Sequence, residues 1–147
     1  MIIRMIIFIL YLMVNSCAFA QVYNDTLYDC ITNQPVVIID NTTNTIYNNK
    51  KKILGTDVKF DYGSKQLNDS IKSYFYKEYG DCCVSASIHY ILLFRKNKII
   101  NVHIIECPSF FNKDIIQKII TNYLRNTYGL WHTQTKRSMF YGRLILP

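Results

Sequence analysis

The chain has 147 residues, a net charge of +7 and five cysteines. That length leaves room for one domain, which removes roughly two-thirds of its chain surface from water; no second core, long polar tail or internal repeat shows in the sequence. The charge is uneven: residues 21–94 carry seven Lys and Arg against eight Asp and Glu, and residues 95–147 carry nine against two. A basic half points to an anionic partner or to a solvated face that keeps the protein soluble.

Residues 1–20, "MIIRMIIFILYLMVNSCAFA", place Arg4 before an apolar run from Met5 to Val14, with Ala18 and Ala20 flanking Phe19. This is the pattern of a secretory signal peptide, and it predicts cleavage after Ala20 and export to the periplasm or cell envelope. A membrane anchor would need ~20 apolar residues, and the run stops at Asn15. Lipidation at Cys17 is the alternative processing. An exported chain rarely meets nucleic acid, so none is expected as a partner.

Residues 21–57 form an extension with few readable signals. "PVVIID" (35–40) predicts a strand, and "NTTNTIYNNKKK" (41–52) predicts a surface loop. "GSKQLNDSIKSYF" (63–75) sets Leu67, Ile71, Tyr74 and Phe75 at helical spacing, with Ser64 as the N-cap. Between Val84 and Phe94 the even positions are apolar, and in the return run so are Ile100, Val102 and Ile104. Matching these faces requires even positions opposite even ones, and therefore an odd loop. A three-residue loop, Arg95 to Asn97 with Asn97 in the left-handed region, satisfies this and sets Phe94 opposite Lys98.

The same register sets His89 opposite His103 on the polar face, with Cβ atoms ~5 Å apart. A zinc or copper site would need a third and usually a fourth ligand. The nearest cysteine, Cys107, lies ~13 Å along the strand from His103. His89 and His103 therefore read as a cross-strand pair rather than a metal site, and no cofactor or small-molecule substrate is expected.

"FNKDIIQKIITNYLRN" (111–126) carries Ile115, Ile116, Ile119, Ile120, Tyr123 and Leu124 as one broad apolar stripe, capped by Asn112 and supported by an Asp114–Lys118 pair. Gly129 then stops the helix, Trp131 plugs the core, and residues 138–146 form a third strand in which Gly142 marks a bulge or a close backbone approach. Ile91, Leu93 and Ile105 fall on the second face of the hairpin, where residues 21–57 or another subunit would cover them. Four cysteines follow the signal: Cys30, Cys82, Cys83 and Cys107. Adjacent cysteines bridge each other only under strain, so Cys82 and Cys83 are expected to pair separately with Cys30 and Cys107 if bridges form.

Helix, hairpin, helix, strand, in this order, resembles the C-terminal domain of the TonB energy-transducer family over residues 58–147. "VKFDYGSKQLNDSIKSYF" is similar to the stretch before and through its first helix, "ASIHYILLFRKNKIINVHIIEC" to its hairpin, "FNKDIIQKIITNY" to its second helix, with Asn112 at the place of the capping Asp and Trp131 where the family carries a Trp. "MFYGRLILP" is similar to its last strand. With three prolines, Pro35, Pro108 and Pro147, the chain carries no Pro-rich spacer of the kind a full transducer uses. The resemblance implies an α+β fold with a three-stranded antiparallel sheet and two helices on one face. It also implies a non-enzymatic domain that binds an envelope protein, such as an outer-membrane receptor, by strand addition to the last strand, with Arg137, Phe140, Tyr141 and Arg143 as the edge residues. A self-associating envelope protein, in which that edge forms a homodimer, is the alternative. A remote third reading is a hydrolase using Cys82 or Cys83 with His89, His103 or His132.

Overall fold

The computed structural model describes residues 24–41, 43–53, 55–80 and 85–147. The expected signal segment, with Cys17, lies outside the described residues, as do Cys82 and Cys83. The fold is α+β with mostly antiparallel sheets. Its strands are β1 (Asn24–Tyr28), β2 (Pro35–Asp40), β3 (Thr45–Asn48), β4 (Lys51–Ile53), β5 (Val58–Phe60), β6 (Ala86–Arg95), β7 (Lys98–Glu106), β8 (Trp131–Thr133) and β9 (Arg137–Leu146), and its helices are α1 (Gly63–Tyr79) and α2 (Lys113–Arg125).

The expected three-stranded sheet is present, in the order β7-β6-β9, and it is not the only one. β1 to β4 build a four-stranded antiparallel sheet, and β5 pairs with β8 in a two-stranded one. The N-terminal extension is thus a sheet, and residues 41–52, expected as a loop, contain a hairpin of β3 and β4. Its two-residue turn, Asn49–Lys50, has φ of 47° and 61°. Positive φ at both central residues suits the right-handed twist of the paired strands.

One face of the central sheet carries the even-numbered side chains. Ile88, Tyr90, Leu92, Phe94, Val102, Ile104, Leu144 and Leu146 are buried there against Leu67, Ile71 and Phe75 of α1 and Ile116, Ile119, Ile120 and Leu124 of α2. Asn112 caps α2 as expected, its side chain accepting from Ile115 N at 3.1 Å. Ser64 does not cap α1, which starts one residue earlier, after Tyr62, without a side-chain cap. Among the described residues the i,i+4 ion pair that closes is Lys65–Asp69 (3.0 Å) in α1, and the expected Asp114–Lys118 pair does not. α2 ends at Arg125, and Gly129, at φ 88°, lies in the turn that leads to Trp131. Trp131 is buried between Phe60, Phe94 and Phe140, and its indole N–H donates to Thr127 Oγ1 at 2.8 Å.

The other face carries Ile91, Leu93, Ile105 and Met139, and the N-terminal sheet covers these with Val36, Val37 and Ile53. Leu27, Ile39 and Ile46 pack at its margin. The cover reaches only the half of β6 and β9 nearest the β6–β7 turn: Ile91 and Leu93 are buried, whereas Ser87 and His89 are partly open and Tyr141, Arg143 and Ile145 are exposed.

Candidate protein-binding edge

β9 is ordered along its inner side by a ten-residue ladder with β6, running from Arg95↔Arg137 to Ala86↔Leu146. Its outer side is engaged at the start, where Ser138 bridges Gly55 and Met139 N donates to Gly55 O at 3.0 Å. Neighbouring residues of a strand turn their N–H and C=O to opposite sides, so if Met139 points outward, Tyr141, Arg143 and Ile145 do too. Among the described residues nothing takes up the backbone groups of those three. A strand edge of this length can accept an added strand.

The side chains on this edge form two sets. Tyr141 and Ile145 are 50% and 56% exposed, flank exposed Arg143, and lie on the face that the N-terminal sheet leaves open. Arg143 Nε donates to Ser87 Oγ at 2.9 Å, and Ser87 Oγ lies 3.0 Å from His89 Nε2. His89 Nδ1 meets the Tyr141 hydroxyl. Ser87 Oγ thus stands between the Arg143 guanidinium, from which it accepts, and the His89 ring, whose other nitrogen reaches Tyr141. This chain of contacts holds Tyr141 and Arg143 in place beside the open edge. Phe140 instead faces the helices and packs edge-on against Trp131 at 5.5 Å, and Arg137 lies six residues from Arg143, opposite Arg95 at the far end of the strand.

Of the four edge residues expected from the sequence, Tyr141 and Arg143 therefore stand together, and Phe140 and Arg137 are apart from them. Ile145, Ser87 and His89 were not among them. The signal for Ile145 was the alternation of β9, since 141, 143 and 145 share a face; Ser87 and His89 join only through the β6–β9 register.

The expected His89–His103 pairing does not form. The β6–β7 turn has two residues, Lys96 and Asn97, between the paired Arg95 and Lys98, with Lys96 rather than Asn97 in the left-handed region at φ 55°. A bulge at Ile100 then restores even opposite even, and a second at Ile105 sets His89 opposite Glu106. His103 stands opposite Ile91, where its Nδ1–H donates to Asp29 Oδ2 at 2.8 Å. The third histidine, His132, contacts Asp61 Oδ1 at 2.6 Å through Nε2. Among the described residues no three His, Cys, Asp or Glu side chains are grouped so as to hold a metal ion.

No described helix is long and apolar enough to cross a membrane. Comparison with family models, with curated proteins and with solved structures finds no match for this chain.

Proposed function

We propose that this chain is an exported, non-enzymatic protein-binding domain of TonB C-terminal type, which takes an extended segment of an envelope protein, such as an outer-membrane receptor, along the outer edge of β9. The observation that carries this reading is the open edge at Tyr141, Arg143 and Ile145, bordered by two exposed apolar side chains. In such a complex the backbone groups of these three residues supply ladder hydrogen bonds, and the alternate side chains of the incoming strand meet Tyr141 and Ile145. Arg143 supplies a positive charge that favours an acidic segment. The order helix, hairpin, helix, strand, with the sheet order β7-β6-β9, agrees with the TonB-like reading.

The test uses the chain as bait in envelope extract, beside an Arg143→Pro variant. Proline at 143 removes an outward N–H and leaves the β6 ladder intact, because only the inward-facing residues bond to β6. The captured protein's extended segment, made as a peptide, should slow hydrogen exchange at the amides of Tyr141, Arg143 and Ile145, and the variant should lose capture. Equal capture by both chains would sink strand addition.

The same open edge also favours a second copy of the chain, in an antiparallel pairing of β9 with β9. Sedimentation separates this from the first reading: self-pairing gives a mass that rises with concentration in the absence of any partner and that Arg143→Pro returns to the monomer.

A further inference from the structure

The turn between β1 and β2 is folded tightly and seated against β7. Asp29 Oδ1 accepts from Ile31 N and Thr32 N at 2.8 and 3.0 Å, and Asn33 N donates to Asp29 O at 2.7 Å. The turn is then held from outside at successive atoms. Asp29 receives His103, Cys30 N donates to Ile104 O at 2.7 Å, and Lys113 Nζ donates to Cys30 O at 3.1 Å. Both backbone groups of Cys30 are thus tied, one to β7 and one to the start of α2. Cys107 follows the last residue of β7 and its thiol donates to Pro108 O at 3.7 Å; both thiols are half-buried, free of a disulfide and packed against the same apolar core, and each perturbs the other's ionisation.

We propose that Cys30 and Cys107 form a disulfide that staples the N-terminal sheet to the central hairpin. The pairing differs from the one that cysteine spacing suggests, because it leaves Cys82 and Cys83 without either of these partners. It rests on the export part of the proposed function, since a bridge of this kind forms and persists in an oxidising compartment. The oxidant is a disulfide donor, an oxidised dithiol protein or glutathione disulfide. One thiolate attacks a donor sulfur and gives a mixed disulfide; the second thiolate then attacks the protein sulfur of that disulfide. Two thiols lose two electrons and two protons, and the donor leaves as two thiols.

The surroundings suit a structural bridge rather than an exchanging redox centre. Burial pushes the Cys30 thiol up to about 11 and also raises Cys107, so both are protonated at neutral pH and react slowly once the turn is seated. The two residues are 77 positions apart, and closing so long a loop restricts the unfolded chain strongly.

The full chain, reduced and then exposed to glutathione disulfide, tests this. A digest made without reductant should contain the Cys30–Cys107 peptide pair, and the thermal midpoint of the oxidised chain should lie about 10 °C above that of the reduced chain. Cys30→Ala and Cys107→Ala should each abolish the difference, whereas Cys82→Ala and Cys83→Ala should leave it. Linkage of Cys30 or Cys107 to Cys82, to Cys83 or to a second chain would overturn the assignment, and so would equal midpoints for the oxidised and reduced chain. A bridge that forms with glutathione disulfide yet is absent from protein recovered from its own cells would refute export and leave the pairing standing.

Discussion

Gly142 is the position where one missing side chain has the largest structural consequence. The Tyr90 ring crosses the β9 backbone there, and a Cβ on residue 142 would sit 2.1 Å from Tyr90 Cζ. Tyr90 is fully buried and its hydroxyl donates to Asn68 Oδ1 at 3.3 Å, so the ring has little room to yield. Burial also pushes the Tyr90 phenol well above its ordinary value, which keeps it protonated and able to donate. Gly142→Ala should therefore destabilise the protein by about 1–3 kcal/mol in chemical denaturation, and adding Tyr90→Leu should recover part of the loss. If Gly142→Ala is neutral, the close approach is not a constraint. The sequence offered two explanations for this glycine, a bulge or a close approach; the unbroken β6–β9 register selects the second.

At the scale of elements, turns carry the differences between expectation and structure. Parity of the β6–β7 hairpin was legible, because apolar faces must meet, and even positions do oppose even ones from Leu92↔Val102 to Tyr90↔Ile104. Parity does not say how it is met, and a two-residue turn with a bulge serves as well as a three-residue loop. The β3–β4 hairpin was missed because Asn- and Lys-rich composition resembles a solvated loop, whereas a two-residue turn needs only φ > 0 at both positions. Asn tolerates that region and Lys does so at a cost of ~1 kcal/mol. Lys50→Gly should then raise stability by about 0.5–1 kcal/mol and Lys50→Val should lower it, read from denaturation midpoints at unchanged slope. A fall with Lys50→Gly would place the cost of glycine's freedom in the unfolded chain above the strain it relieves.

At the scale of the whole molecule, the decisive feature is a sheet that has helices on one face and a second sheet over half of the other. The cover turns Ile91, Leu93 and Met139 into core and leaves Tyr141, Arg143 and Ile145 at the surface, so the same arrangement that stabilises the domain also delimits the candidate edge. The β1–β2 turn pins that cover in place through Asp29 and His103. Burial raises the Asp29 carboxyl, and hydrogen bonds from His103, Thr32 and Ile31 outweigh it, holding the group below its ordinary value of 3.8. A carboxyl depressed in the folded state contributes stability in full above its unfolded value and loses it as pH falls through the folded one. The protein should accordingly lose stability as pH drops below about 4, and Asp29→Asn should flatten that loss while lowering stability at neutral pH by about 1–3 kcal/mol. An identical acid limb in wild type and Asp29→Asn, followed by urea denaturation between pH 2 and 7, would remove Asp29 from this role.

Local periodicity determined both helices, the three strands of the central sheet and their order along the chain, because apolar residues at spacings of two and of 3.6 leave few ways to bury one face. The apolar second face at Ile91, Leu93 and Ile105 was also legible, with the N-terminal segment as its cover. Only the tertiary structure decided that this segment is a four-stranded sheet, that its cover stops short of Tyr141, Arg143 and Ile145, and that the turn carrying Cys30 is seated on β7. Each of these depends on how segments far apart in sequence pack against one another, which the spacing of neighbouring side chains does not encode.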